Sequence, residues 1–360
     1  MRAYFITAPQ GPAQRACYDH QSVALVEGLL DKSIEVSGKR SFFPVYENTR
    51  SHLIEGELFD FHESDVVVFS SEIFDCGYAD LLPRDLYASS RNYKLVFLDN
   101  SDGFKTPGFR SEMTNVDIVL KSHYNLTQKY PSNFKPWQFG LTNRLMKYAN
   151  LNEHILRLPR LVEAFRVKHG SRNLAHRYFL PLLNTDIAID QTLDEFDEHD
   201  SQPQERQLWE ITGRRHYPAF YNRLKSSLAC AAFGGDLEPS WVFGNHRWRR
   251  RLSTLNDCVT HGKFNKRIVQ WDSFRFWESL ICGCATIHVD LERYGALLPI
   301  MPVNYQHYIG IDFDEIGKAV LSFNDLTNIE QIALNGKVWV QENYSPSAVA
   351  DRFLSMLELV

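Results

Sequence analysis

Residues 270–290 read QWDSFRFWESLICGCATIHVD. Ser273 is a residue type favoured at the N-cap of a helix, and apolar side chains recur after it at helical spacing, at positions 274, 277, 280 and 281. Gly283 is expected to end this helix, and residues 285–289 form a short apolar run that is typical of a buried strand. The stretch therefore predicts a helix that leads directly into a strand.

Two charged residues lie near the start of this predicted helix. Arg275 and Glu278 are three residues apart, which places them on one face. The first N–H groups of a helix have no partner within the helix, and its positive dipole end favours an anion. Ser273, Arg275 and these N–H groups could bind a phosphate, while Glu278 could accept hydrogen bonds from two ribose hydroxyls. The spacing is equally compatible with a surface ion pair between Arg275 and Glu278.

The same residues resemble the C-terminal donor-binding motif of retaining-type GT-B glycosyltransferases, which combines R-x-x-E with a glycine five residues later. The resemblance implies an α/β fold of two Rossmann-like domains facing across a cleft. It also implies transfer of a sugar from a nucleotide-sugar donor to a hydroxyl acceptor, either a glycan or a small molecule. By the same resemblance Glu278 would hold the ribose, and Ser273 and Arg275 would lie by the diphosphate. A nucleotide-sugar epimerase of GT-B shape and a non-catalytic nucleotide-sugar-binding protein remain as alternatives.

A second segment, residues 212–235, is predicted to form a turn, a helix, a small apolar strand and a Gly-Gly pair. It loosely resembles the region from which GT-B enzymes direct an arginine and a lysine at the leaving diphosphate. Cations are needed there because negative charge builds on the phosphate oxygen as the bond to the sugar breaks. Arg215 and Lys225 are the predicted donor-binding cations, and the alternative is that both are ordinary surface charges.

The N-terminal part of the chain alternates predicted strands and helices. Residues 2–7 read as a strand and residues 19–30 as an amphipathic helix capped by Asp19, and further strands are predicted over residues 65–70, 93–99 and 116–121. Polar residues follow three of these strands, and ligands of open α/β sheets bind outside the carboxyl ends of strands. The segments Ser70-Ser71-Glu72, Asp99–Gly103 and Lys121-Ser122-His123 are therefore the predicted acceptor side.

The sequence leaves the catalytic base open. An inverting transferase needs a base in the N-terminal part of the chain, and His20 and Asp102 are the two candidates. A retaining enzyme needs no such base. In that case His20 would be an ordinary helix residue and Asp102 part of an Asx-rich turn.

We expect three parts in the chain. Residues 1–145 are predicted to form an N-terminal Rossmann-like acceptor domain, residues 146–340 a nucleotide-sugar donor domain and residues 341–360 a C-terminal helix. Within the donor domain, residues 150–169 are charged and helical in period, which predicts a helix.

Composition narrows the possible partners. The 360 residues carry a net charge of −5, which gives no support to nucleic-acid binding, although residues 241–251 interleave aromatic side chains with arginines. No apolar run reaches 18 residues, so no membrane span and a cytoplasmic location are predicted. The donor would be a substrate, and no further cofactor is expected.

The six cysteines are scattered along the chain and are predicted to be reduced thiols. Cys258, His261, Cys282 and Cys284 could in principle supply four zinc ligands. Because Cys282 and Cys284 flank the helix-ending glycine, small buried residues are the favoured interpretation, and no metal site is predicted.

Overall fold

The computed structural model describes residues 1–10, 18–47, 50–101, 114–150, 156–165, 170–183, 186–192, 202–239 and 266–358. The strands in these ranges are β1 (Arg2–Ile6), β2 (Glu35–Ser37), β3 (Phe42–Glu47), β4 (Arg50–Ile54), β5 (Val66–Ser70), β6 (Lys94–Asp99), β7 (Ile118–Lys121), β8 (Phe134–Pro136), β9 (Leu158–Val162), β10 (Ala188–Asp190), β11 (Ser227–Ala231), β12 (Asp236–Pro239), β13 (Lys266–Val269), β14 (Ala285–Val289) and β15 (Ile309–Ile311). The α-helices are α1 (His20–Asp31), α2 (Glu72–Asp75), α3 (Asn143–Asn150), α4 (Gly170–Leu174), α5 (Pro203–Ile211), α6 (Pro218–Lys225), α7 (Phe274–Ile281), α8 (Ile316–Asn324), α9 (Leu326–Tyr344) and α10 (Pro346–Glu358).

The first sheet has six parallel strands in the order β2-β1-β5-β6-β7-β8. Its central strands are apolar along their whole length because both faces of the sheet are covered, and every residue of β5 is buried. The predicted strands over residues 2–7, 65–70, 93–99 and 116–121 are confirmed to within two residues. Helix α1 begins after Asp19, whose side chain accepts a hydrogen bond from the Ser22 N–H, so the predicted cap is also confirmed.

The second sheet has five parallel strands in the order β10-β9-β11-β14-β15. Helix α7 and strand β14 form as predicted, and Gly283 between them adopts φ 66°. The predicted helix over residues 150–169 is wrong, because Leu158–Val162 forms strand β9 between β10 and β11. Pairing with strands distant in sequence overrides the local helical period there.

The last helix returns to the first sheet. Helix α10 packs on α1, and the contact is so close that a Cβ atom added at Gly28 would lie 1.9 Å from the Pro346 carbonyl oxygen. Val349 and Phe353 of α10 belong to the same buried cluster as Val26 of α1. The predicted domain boundaries at residues 145 and 340 remain predictions.

The cysteines differ in part from the prediction. Cys230, Cys282 and Cys284 are buried free thiols, whereas Cys76 is disulfide-bonded, so the expectation of reduced thiols is wrong at Cys76. Among the described residues no group of three or more potential ligands could hold a metal ion. Cys258 and His261 lie outside the described residues, as does the arginine-rich segment 241–251. No helix in the described ranges is long and apolar enough to cross a membrane.

Candidate donor-binding and acceptor site

The start of helix α7 lacks a side-chain cap. Ser273 occupies the N-cap position, as predicted, but its hydroxyl donates to the Ala232 carbonyl at 3.4 Å rather than accepting from the helix. The Gly-Gly turn after β11 lies against this point, since a Cβ atom on Gly234 would come within 2.8 Å of the Trp271 carbonyl oxygen and 3.3 Å of Ser273 Cβ. The first N–H groups of α7 thus face a loop whose backbone approaches closely, which is the arrangement of a phosphate site.

Three guanidinium groups surround this helix start. Burial lowers the pKa of Arg172 to about 10 and also lowers that of Arg215, and the positive charge of Arg275 contributes to both shifts. Arg275 itself is half-buried, and its Nε has no hydrogen-bond partner within the part of the chain that is described. The three positive guanidinium groups lie close together, and the Nε–H of Arg275 can still donate a hydrogen bond. This arrangement makes a strongly electropositive site that is suited to an anion.

Arg215 reaches the helix from the loop before α6. Its Cζ lies 4.8 Å from the centre of the Phe274 ring, and its Nη1 donates to the Thr212 carbonyl at 3.3 Å. Protein atoms crowd the guanidinium group, but the residue as a whole keeps a solvent-exposed surface. The sequence prediction thus placed Ser273, Arg275 and Arg215 in one region, and the structure brings all three together.

Glu278 is buried on the inner side of α7. Its Oε1 accepts hydrogen bonds from His216 Nδ1 at 2.8 Å and from the Tyr221 hydroxyl at 3.2 Å. Burial alone would raise the pKa of Glu278, but the hydrogen bond from His216 and the charge of Arg275 hold it below its ordinary value. The carboxylate is therefore ionised and oriented, and its Oε2 accepts no hydrogen bond from the residues that the structure describes. No ion pair joins Arg275 to Glu278 among these described side chains, so the surface-pair alternative does not describe this site.

His216 is held in an unusual backbone conformation. Its φ is 58°, and Arg214 two residues earlier has φ 61°. Burial lowers the pKa of His216 in spite of the raising effect of Glu278, so the ring is neutral and Nδ1–H donates to the carboxylate. Its Nε2 is buried and has no partner in the described ranges, and the ring lies 5.5 Å from that of His20.

The carboxyl edge of the first sheet carries a second polar group. Glu72 follows β5, is half-buried, and accepts a hydrogen bond from Asn100 Nδ2 at 3.1 Å. Ser71 also bonds to Asn100, which follows β6. Burial, Asp19 and Asp75 raise the pKa of Glu72 to about 8, although Arg215 acts in the opposite direction. The positive charge of Arg215 thus influences the pKa of a carboxyl at the edge of the first sheet.

A buried ion pair lies at the same edge. Lys121 Nζ is 2.9 Å from Asp99 Oδ2, and both side chains are shielded from solvent. Asp99 also accepts a hydrogen bond from the Ser101 N–H at 3.2 Å. Asp99 and Lys121 therefore satisfy each other and leave Glu72 as the half-buried carboxyl of the edge.

Comparison with known proteins was made at the levels of sequence and structure. No protein-family model and no curated protein matches the sequence. An alpha-glucosyltransferase solved with UDP and mismatched DNA aligns over 99% of this chain and 100% of its own at TM-score 0.54 and 9% identity. The Anabaena protein HepE, solved with UDP, aligns over 100% of both chains at TM-score 0.51 and 12% identity. AviGT4, a glycosyltransferase involved in avilamycin A biosynthesis, aligns over 99% of this chain and 97% of its own at TM-score 0.50 and 10% identity. The chain has the GT-B fold.

In this GT-B fold His20 sits at the first turn of α1 with both ring nitrogens engaged. Nε2 donates to the Gly140 carbonyl at 3.0 Å, and Nδ1 accepts from the Tyr18 hydroxyl at 2.9 Å. Burial lowers the pKa of His20 to about 3. The geometry holds the ring in place and offers no nitrogen to a substrate. Asp102, the other candidate base, lies outside the described residues.

Lys225 lies away from the helix start. It ends α6, is buried, and donates to the Tyr148 carbonyl at 2.9 Å. Burial raises the pKa of the Cys282 thiol and the nearby charge of Lys225 acts against this rise, so Lys225 lies near Cys282, at the opposite end of α7 from Ser273. Nine residues of helical rise separate these ends by roughly 13 Å. The structure does not bring Lys225 to the guanidinium cluster.

A buried carboxyl ties α7 to the segment that crosses between the two sheets. Asp272 Oδ2 accepts from the Phe139 N–H at 2.8 Å, and Oδ1 accepts from Trp277 Nε1 at 2.6 Å. The Asp272 N–H in turn donates to His123 Nδ1 at 3.0 Å. Burial raises the pKa of Asp272 to about 7. The start of α7 is thereby fixed to residues of the first sheet and of the crossing.

Four further residues of this region are not among those predicted from the sequence: Arg172, His216, Tyr221 and Asp272. His216 carried a signal, since it follows the Gly213-Arg214-Arg215 turn that was singled out for its cations. Arg172 comes from helix α4, the next helix after β9, and its Nε donates to the Phe233 carbonyl at 2.8 Å. Because β9 was predicted as helix, Arg172 was not expected to lie near α7.

Proposed function

We propose that this protein is a glycosyltransferase that moves a sugar from a nucleotide-diphosphate donor to a hydroxyl acceptor. The observation that carries the proposal is the meeting of Arg215 and Arg275 at the uncapped start of α7. A GT-B fold alone supports many activities, whereas paired guanidinium groups at a helix start favour a diphosphate specifically. The half-buried, unpartnered Nε of Arg275 gives such a ligand a donor to fill.

Each residue has a role in this proposal. Glu278, held by His216, accepts hydrogen bonds from the ribose through its Oε2. Arg275 and Arg215 stabilise the charge that develops on the diphosphate as the sugar leaves, with Arg172 adding to the positive potential. Arg275 and Arg215 are fixed cations that supply this stabilisation, and Arg172 adds to it. We therefore propose that the reaction needs no metal ion.

We propose UDP as the nucleotide, because the alpha-glucosyltransferase and HepE structures were both solved with UDP. The acceptor is proposed to be a glycan or a small molecule. DNA accompanies the alpha-glucosyltransferase, but the net charge of −5 on this chain disfavours a polyanionic partner. A role in glycan biosynthesis and a cytoplasmic location stay predictions of the sequence.

The test is turnover of UDP-glucose by wild type and two matched variants. Arg275→Gln removes a proposed diphosphate ligand, while Arg214→Gln changes a neighbouring exposed arginine whose Cζ lies 5.2 Å from the Trp209 ring. We expect UDP release from the wild type and from Arg214→Gln, and at least about tenfold less from Arg275→Gln. UDP-glucose could also be a poor donor, so GDP- and CMP-linked sugars are assayed in parallel.

The rival functions give different products. A GT-B-shaped epimerase would convert the donor sugar without passing it to an acceptor. A non-catalytic nucleotide-sugar-binding protein would bind UDP-glucose and release nothing. Either result would contradict the proposed transfer while leaving the binding site intact.

A further inference from the structure

Glu72 is placed to meet a substrate that lies in the cleft of the GT-B fold. It follows the central strand β5 at the carboxyl edge of the first sheet, and its half-buried carboxyl is near enough to Arg215 for each to shift the other's pKa. Arg215 comes from the loop before α6 and lies over Phe274 at the start of α7. The geometry also brings this edge close to the start of α7, because the Ser70 hydroxyl at the end of β5 lies beside the Asp19 carboxylate and the ring of the next residue, His20, lies 5.0 Å from that of Phe274.

Four other titratable groups that the structure describes at this edge are already engaged, whereas Asp102 lies outside the described residues. Asp99 pairs with Lys121 in a fully buried ion pair, and Asp19 is buried as the cap of α1. The two nitrogens of His20 are bonded to Gly140 and Tyr18. Within the described ranges Glu72 by contrast accepts one N–H hydrogen bond, from Asn100 Nδ2 to Oε1, while Cys76 Sγ lies 3.7 Å from Oε2. The single amide contact orients the carboxyl and leaves Oε2 for a hydroxyl.

We propose that Glu72 is the general base that accepts the proton of the acceptor hydroxyl, so that transfer inverts the anomeric carbon. The inference rests on the proposed function. The acceptor oxygen forms a bond to the anomeric carbon while the bond from that carbon to the phosphate oxygen breaks. The electron pair of the broken bond stays on the nucleoside diphosphate beside Arg215 and Arg275, and the hydroxyl proton moves to the Glu72 carboxylate, which later returns it to solvent.

The surroundings of Glu72 set the pH at which it can act. Burial and the carboxyl groups of Asp19 and Asp75 raise its pKa to about 8, against the lowering effects of the Asn100 hydrogen bond and of Arg215. A base must be ionised before it can take a proton, so the rate of transfer should rise with pH up to about 8 and then level off.

The experiment compares wild type with Glu72→Gln and with Asp80→Asn, an exposed carboxyl in the segment that follows α2. UDP release from UDP-glucose is followed with water and with p-nitrophenyl glycosides as acceptors, and the anomer formed first is read by proton NMR. UDP affinity and melting temperature are measured on the same samples. Glutamine keeps the shape of the side chain, and its Oε1 can still accept the hydrogen bond from Asn100 Nδ2. The variant is therefore expected to fold.

We expect Glu72→Gln to slow UDP release by about 100-fold or more with UDP affinity unchanged, and Asp80→Asn to match wild type. The sugar should appear first as the β anomer, and the wild-type rate should rise through about pH 8. Three outcomes would each overturn the role of Glu72. Glu72→Gln could release UDP at a rate within about twofold of wild type, the sugar could appear first as the α anomer, or the wild type could bind UDP and release none from UDP-glucose. If the wild type binds no nucleotide, the proposed function fails as well, and the two failures are thereby distinguished.

Discussion

His216 Nδ1 lies 2.8 Å from Glu278 Oε1, and both side chains are buried. The two residues are 62 positions apart in the chain, and the contact joins the loop before α6 to helix α7. Because the imidazole is neutral, the bond is an N–H donor to a carboxylate, in which the histidine fixes the position of the acid. The same carboxylate is the proposed ribose ligand, so stability and donor binding should depend on one contact.

His216→Phe should therefore destabilise the protein. It leaves the buried Glu278 carboxylate without its principal donor, and loss of a hydrogen bond to a charged group costs about 1.5–3 kcal/mol. Glu278→Leu in the same background should recover part of the loss, because no buried charge is then left. Urea unfolding of the two single variants and the double variant measures the coupling, and additivity to within about 0.5 kcal/mol would show that the residues act independently.

Asp272→Asn should change how stability responds to pH. The folded pKa of Asp272 is about 7 against 3.8 in the unfolded chain, so between these values the folded protein holds a proton that the unfolded chain has released. The contribution of this group to stability therefore falls as the pH rises from about 4 to 7. Asparagine does not titrate, so the stability of the variant relative to wild type should improve by up to about 4 kcal/mol over this range.

Urea unfolding of Asp272→Asn at pH 4.5, 6 and 8 checks this prediction. Asp80→Asn serves as the control, since it changes an exposed carboxyl and should show no such trend. A difference between Asp272→Asn and wild type that stays constant across the series would contradict the buried, protonated carboxyl.

Gly28→Ala should destabilise the protein although alanine favours helices. The added Cβ would lie 1.9 Å from the Pro346 carbonyl oxygen and push α10 away from α1, and such overpacking costs about 1–3 kcal/mol. Gly317→Ala in α8 is the matched control, because no atom lies within 4 Å of its added Cβ, and it should gain up to about 1 kcal/mol. Equal shifts in melting temperature for both variants would show that α10 does not pack tightly on α1.

Lys225→Met should separate stability from donor binding. The lysine donates to the Tyr148 carbonyl in the interior, so its loss should cost about 1–2 kcal/mol of stability. UDP affinity should stay within about twofold of wild type, because Lys225 lies at the far end of α7 from the guanidinium cluster. Calorimetric titration with UDP measures this affinity. An affinity about tenfold weaker than that of wild type would show that Lys225 contributes to donor binding.

Local signals in the sequence located the elements of the fold well. Helix α7 is defined by the N-cap Ser273, the helical spacing after it and Gly283. These local signals were sufficient to predict the bounds of the helix. Strand β9 was missed because its identity depends on β10 and β11, which lie further along the chain. The position of Lys225 could not be predicted for a related reason, since only the packing of α6 on α3 brings its Nζ to the Tyr148 carbonyl.

The composition of the site was harder to anticipate than its position. Ser273, Arg275 and Arg215 were expected from the helix start and from the charged turn, and they come together. The contacts of Glu278 with His216 and Tyr221, and the approach of Arg172, arise between segments far apart in sequence. His20 was a reasonable candidate base by position, but its neighbours Tyr18 and Gly140 engage both nitrogens, which no local pattern indicates.

The central claim is that the start of α7 binds the diphosphate of a nucleotide, and calorimetric titration of UDP into wild type, Arg275→Gln and Arg214→Gln tests it most directly. We predict saturable binding to wild type and to Arg214→Gln, and at least about tenfold weaker binding to Arg275→Gln, with all three proteins melting at similar temperatures. Equal affinity of wild type and Arg275→Gln for UDP would contradict the claim.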